Sequence, residues 1–97
     1  ITVKDEIFFA PNTFTPNNDG TNETWQIVGL NEVESFELLI FNRWGEMVFQ
    51  TTDVNEGWDG RFKGSLAQQD VYVYRIAYKE QNGFKSFTKE GHVTLVK

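Results

Sequence analysis

The chain has 97 residues, a net charge of −5 at neutral pH, no cysteine, and aromatic residues at 15% of its positions. The negative charge argues against binding to nucleic acid or to anionic membrane surfaces, and the lack of cysteine excludes disulfides and cysteine-based metal sites. The aromatic content argues against disorder, and no apolar run is long enough to predict direct insertion into a membrane.

The start of the chain lacks the basic and apolar regions of a signal peptide. We therefore expect residues 1–97 to be a single domain of a longer protein. An apolar run at residues 7–10 ends at Pro11, which cannot donate a hydrogen bond to a sheet. Further along, residues 25–28 are predicted to form a short strand that ends before Gly29.

Residues 34–42 show the clearest strand pattern in the chain. Apolar side chains fall on both of its faces, Leu38 on one and Leu39 on the other, which predicts burial on both sides. Residues 43–46 are predicted to form a turn. Residues 47–51 are then expected to return as the partner strand of a hairpin.

The second half of the chain begins with a turn-rich stretch at residues 53–69. Residues 71–79 are predicted to form a second long strand, with alternating side chains on its two faces. The Asn-Gly pair at residues 82–83 predicts a tight hairpin. The returning strand is expected to break or bulge at Gly91 and to finish over residues 93–96.

Strand-like segments therefore recur along the chain, separated by turns about every 8–12 residues. This spacing predicts an all-β fold, an antiparallel immunoglobulin-like β-sandwich of about seven strands. No helix longer than one turn is expected.

Few residues in the chain are suited to catalysis. His92 is the only histidine, so the commonest acid–base and metal arrangements cannot be built. Its alternation with Val93 and Leu95 predicts a solvated strand position. Acidic pairs occur only in ordinary exposed contexts, and we expect the protein not to be an enzyme.

The most unusual segment is a polar loop around Gly20. Oxygen-bearing side chains at Asn17, Asp19, Asn22 and Glu23 surround this glycine, and calcium prefers oxygen ligands from such loops. The sequence matches only part of an EF-hand loop. A turn held by its own Asn and Asp side chains is the favoured interpretation, and calcium is the alternative cofactor.

Two tryptophans adjoin predicted turns. Trp58 precedes Asp59 and Gly60, and we expect its ring to anchor that loop on the core, since a small domain needs its large aromatic residues inside. If exposed, it is instead suited to stacking on a sugar. Arg43 and Trp44 form either a binding patch or a local contact in which the guanidinium stacks on the ring.

Five motifs follow one another along most of the chain. They are Pro-Asn-x-Phe-Thr-Pro-Asn-x-Asp-Gly-x-Asn at 11–22, Phe-Asn-Arg-Trp-Gly at 41–45, Trp-Asp-Gly at 58–60, Val-Tyr-Val-Tyr at 71–74 and Gly-His-Val-Thr-Leu at 91–95. In this order they resemble the gliding motility-associated C-terminal domain of Bacteroidota proteins, the type B cargo domain of the type IX secretion system. Glu23 stands where the family pattern has Asp, and Lys97 where it often ends in Arg.

The resemblance implies a C-terminal sorting signal of a secreted or cell-surface protein, with gliding adhesins as the best-known cargo. Such a domain takes its cargo from the periplasm across the outer membrane and supports attachment to the cell surface. The implied partners are the translocon and a PorP/SprF-like outer-membrane accessory protein. We expect the domain to bind them as a monomer.

A signal that crosses in a folded state needs a rigid surface with exposed loops or strand edges. The candidate partner-binding residues come from the polar loop, the predicted turn at residues 43–46 and the end of the chain. They are Asn17, Asp19, Arg43, Trp44, Glu46 and Lys97. The alternatives are a carbohydrate- or surface-binding module of an adhesin and a structural terminal cap. A carbohydrate site is expected to expose two or three aromatic residues on one face.

Overall fold

The computed structural model describes residues 10–16, 24–28, 33–80 and 86–96. These residues contain seven strands, which are β1 (Thr13–Phe14), β2 (Val33–Phe41), β3 (Met47–Thr51), β4 (Arg61–Phe62), β5 (Ser65–Leu66), β6 (Asp70–Glu80) and β7 (Ser86–Leu95). Five of the strands form one sheet in the order β1-β7-β6-β2-β3, and β4 and β5 form a two-stranded ribbon. The prediction of an all-β fold is confirmed.

The large sheet is mixed. β2, β3, β6 and β7 pair antiparallel to their neighbours, whereas the short strand β1 runs parallel to β7 and pairs Thr13 with Thr94. Backbone bonds extend this pairing, because the Thr94 amide donates to the Asn12 carbonyl and the Val96 amide to the Phe14 carbonyl. The two ends of the described chain thus meet at one edge of the sheet.

One face of the sheet forms the core. Successive side chains of a strand point to opposite faces, and alternate residues of the two central strands are buried, namely Phe36, Leu38, Ile40, Tyr72, Tyr74, Ile76 and Tyr78. The opposite face, called the outer face below, is less covered. Leu39 and Phe41 on that face are only half-buried, so β2 lacks the full two-sided burial that its sequence predicts.

A thin second layer covers the core face. Trp25 and Trp58 form an isolated antiparallel bridge, in which the amide of each residue donates to the carbonyl of the other at 2.8 Å. The Trp25 ring packs on Tyr74 at 5.0 Å, and the Trp58 ring packs edge-on against Tyr72 at 5.1 Å. Together with Phe62, which packs from the ribbon, these rings give the molecule its sandwich-like cross-section.

Two further local predictions differ from the structure. Residues 25–28 do not form a continuous strand, because the pairing of this segment with Trp58 is confined to the isolated bridge. The expected break at Gly91 was wrong, since the β6–β7 register runs unshifted through the pairing of Tyr74 with Gly91. The absence of a side chain at Gly91 leaves room for the Tyr74 ring in the core, because a Cβ at Gly91 would lie 2.8 Å from Tyr74 Cε2.

Several predictions concern residues outside the described ranges. The apolar run before Ala10 and the Asn-Gly turn at residues 82–83 belong to this group. Within the described ranges there is no helix, and accordingly none that is long and apolar enough to span a membrane.

Candidate partner-binding site

The structure brings three of the predicted partner-binding residues together. Arg43, Trp44 and Glu46 lie in the turn between β2 and β3. The other candidates, for partner or calcium binding, lie outside the described ranges: Asn17, Asp19, Asn22, Glu23 and Lys97. A role for those residues stays a prediction.

Asn42 organises this turn. Its side-chain oxygen accepts from the amides of Trp44 and Glu46 at 3.0 and 2.9 Å, and its side-chain nitrogen donates to Glu46 Oε1 at 3.1 Å. Gly45 has a φ of 82°, a left-handed conformation that glycine adopts without strain. The backbone is therefore tied at both ends of the turn.

Arg43 is held by a residue from another strand. Its Nε lies 2.8 Å from Asp70 Oδ2 and its Nη2 donates to Asp70 Oδ1 at 2.9 Å, the bidentate geometry that makes Arg–carboxylate pairs specific. The amide of Val71 also donates to Asp70 Oδ1. This backbone bond and then the Arg43 guanidinium lower the pKa of Asp70 below its ordinary value of 3.8, so the carboxylate is ionised at neutral pH.

Trp44 stands out among the three tryptophans. Its side chain is 69% exposed, whereas Trp25 and Trp58 are fully buried. The predicted anchoring role of Trp58 is therefore confirmed, and its indole nitrogen donates to the Arg61 carbonyl at 3.0 Å. The Arg43 guanidinium lies 5.6 Å from the centre of the Trp44 ring, as the stacking interpretation predicts.

Exposed apolar side chains continue from the turn onto the outer face. Phe41 pairs with Met47 on one side and with Val73 on the other, and Met47 is exposed. Val71 is exposed as well and lies two residues before Val73 on the same face. We call Arg43, Trp44, Met47 and Val71 the turn patch.

The charges at the rim of the turn patch are paired. Lys63 Nζ lies 3.7 Å from Glu46 Oε2, and Arg43 is paired with Asp70. Elsewhere on the outer face, Arg75 Nη2 lies 2.9 Å from Glu90 Oε2. The site thus combines the exposed apolar side chains of Trp44, Met47 and Val71 with ion-paired charges at its rim.

The structure also locates one of the candidate acid–base residues and bears on metal binding. His92 is exposed on β7, as predicted. Among the described residues no group of three or more His, Cys, Asp or Glu side chains is placed to hold a metal ion. Calcium binding by the polar loop stays a prediction, since its ligand residues are not among those described.

Sequence reasoning missed Asp70 and Val71 as parts of this site. Asp70 is 27 positions from Arg43 along the chain, and a carboxylate at the start of a strand carries no local sign of its ion-pair partner. The role of Asn42 had a usable signal, because an asparagine that opens a turn commonly bonds the backbone amides that follow it.

A comparison of the sequence with models of protein families gave a match that covers most of the chain. The family model described as CHU_C Type IX secretion signal domain matches residues 8–95, which include every strand described above. Searches of the curated proteins and of the solved structures each found no match. The chain belongs to the type IX secretion signal domain family.

Proposed function

We propose that the chain is the C-terminal sorting signal of a gliding adhesin and that it also supports attachment at the cell surface. The family match supports recognition by the type IX secretion system. The observation that carries the proposal is Trp44, 69% exposed on a turn that is fixed by hydrogen bonds. A folded signal needs such a rigid exposed feature to be recognised.

The proposed partners are the translocon and a PorP/SprF-like outer-membrane accessory protein. The domain would meet them as a monomer after transit through the periplasm and would remain associated with the outer membrane. Its role in this proposal is binding and not catalysis. An apolar patch within a polar rim supports a protein partner, because the centres of protein interfaces are apolar and their rims polar.

Direct binding of carbohydrate by an adhesin module is the less favoured function. Sugar-binding surfaces of this kind need two or three exposed aromatic residues on one face. Trp25 and Trp58 are fully buried, and their indole nitrogens donate to backbone carbonyls inside the domain.

Export of a reporter tests the proposed function. Residues 1–97 are fused behind an inert reporter that carries a periplasmic signal peptide, and the fusion is expressed in a gliding bacterium with and without added accessory protein. We expect the reporter at the cell surface or in the medium. The controls are the reporter alone and the fusion in a strain that lacks the secretion system.

The opposite result is a reporter that stays in the periplasm with a folded domain, even when the accessory protein is supplied. That result would reject the sorting role and favour adhesion or a structural cap. Surface retention after export separates attachment from sorting, since a signal that only sorts would leave the reporter in the medium.

A further inference from the structure

We propose that Trp44 is the anchor through which a folded protein of the secretion machinery binds this domain, inserting the indole into an apolar pocket of that protein. The inference rests on the proposed function and assigns it a residue and a binding mode. Asp70 acts as a positioning residue, because it holds the Arg43 guanidinium over the Trp44 ring.

The first argument is preorganisation. Binding is weakened by every side chain or loop that has to be ordered on association. Here the Trp44 amide bonds to Asn42, the turn closes through the Asn42 amide and the Glu46 carbonyl at 2.9 Å, and the Arg43 guanidinium packs on the ring. The exposed indole is therefore presented with its backbone already ordered.

The second argument is the exposure of the ring itself. A small domain gains stability by burying its large aromatic residues, and this domain buries its two other tryptophans completely. Trp44 contributes no comparable burial to the fold. Tryptophan and arginine are among the residues most enriched at the positions that dominate binding at protein interfaces. Exposed Met47 begins the strand that follows the turn, and exposed Val71 adjoins Asp70, the ion-pair partner of Arg43.

The surroundings of Trp44 indicate a protein partner and neither a lipid surface nor a glycan. The cations of the site are paired, Arg43 with Asp70 and Lys63 with Glu46, and the chain carries a net charge of −5. Anionic headgroups are therefore not attracted. No second exposed aromatic residue accompanies Trp44 in the described part of the chain, whereas apolar neighbours and a polar rim suit a protein pocket.

The test compares Trp44→Ala with Val28→Ala in the reporter-export assay. Val28 is a matched control, because its side chain is also apolar and 59% exposed but lies outside the turn patch. Circular dichroism melts confirm that both variants fold. We expect Trp44→Ala to lower the export rate at least about tenfold and Val28→Ala to leave it unchanged. In a titration against the purified accessory protein in detergent, we expect Trp44→Ala to weaken binding about 30-fold or more, as for an anchor residue.

A double-mutant comparison tests the role of Asp70. If Asp70 acts through the indole, Asp70→Ala lowers export in the wild-type background and has no further effect when Trp44 is already alanine. A purely structural role would add the same loss in both backgrounds. Additive losses would therefore remove Asp70 from the proposal.

Two outcomes would overturn the anchor role of Trp44. One is export of folded Trp44→Ala at the wild-type rate while the wild-type fusion is exported normally, which leaves the proposed function intact. The other is Trp44-dependent co-sedimentation of the domain with vesicles of phosphatidylethanolamine and phosphatidylglycerol, since that would make lipid the occupant. Failure of the wild-type fusion to be exported would instead reject the proposed function.

Discussion

Gly91 and Tyr74 form a cross-strand pair in which the absence of a side chain creates space for a ring. They lie opposite each other in the β6–β7 ladder, and the Tyr74 ring covers the position where a Cβ would stand. That ring in turn supports Trp25. The close approach explains why a glycine is accommodated inside a strand, where it otherwise weakens pairing.

Gly91→Ala is therefore expected to destabilise the domain. The added methyl group forces the Tyr74 ring or the β7 backbone to move, and overpacking of this kind lowers the free energy of unfolding by about 1–3 kcal/mol. Urea denaturation measures the loss, with Thr88→Ala, an exposed position on the same strand, as the control. If Gly91→Ala proved as stable as the wild type, the Tyr74 ring would have to lie elsewhere.

The Trp25–Trp58 bridge is the element that closes the core. It connects two loop segments that each have little regular structure, and the Trp25 indole nitrogen also donates to the Pro11 carbonyl at 2.6 Å. One side chain thus ties the start of the described chain to the bridge. The result is a second layer made of a few large rings in place of long strands.

Trp25→Phe is expected to lower the free energy of unfolding by about 1–3 kcal/mol. The Pro11 carbonyl loses its donor, and the smaller ring leaves a space beside Tyr74. Chemical denaturation of the purified domain checks this, and Trp44→Phe is the matched control because Trp44 is exposed and a surface change stays within about 0.5 kcal/mol. Equal stability of the two variants would contradict a structural role for the Trp25 hydrogen bond.

Local patterns predicted the elements better than their partners. Apolar strand patterns predicted β2 and β6, and the turn at Arg43 and Trp44 predicted β3 as the returning strand of a hairpin. The Trp25–Trp58 pairing and the Arg43–Asp70 ion pair did not, because each joins segments that are distant along the chain. The unshifted pairing of β7 through Gly91 was missed for a similar reason, since it depends on a ring from β6.

At the scale of the whole molecule, β7 is the strand that joins the start of the described chain to the rest of the large sheet. It pairs with β6 along its length and with β1 at its end, and Val93 and Leu95 are fully buried. Burial of such side chains is worth about 1.5–3 kcal/mol each. Their loss is large compared with the about 5–15 kcal/mol that stabilises a typical domain.

Deletion of residues 91–97 is therefore expected to unfold the domain and to abolish export at the same time. Circular dichroism and the reporter assay measure the two losses on the same fusion. His92→Ala changes an exposed position within the deleted segment and should leave both unchanged. Cooperative unfolding by the deleted variant would show that the last strand is dispensable.

The parallel pairing of β1 with β7 also bears on when the domain can fold. Thr13 and Phe14 pair with Thr94 and Leu95, so this part of the sheet joins residues from opposite ends of the chain. Contacts between distant residues slow folding, because a long loop has to close before they form. A polypeptide whose synthesis stops before the last strand lacks this pairing, and we expect it to present no folded signal. Under the proposed function, and if deletion of residues 91–97 abolishes folding as expected, only chains that have been synthesised through β7 would be exported.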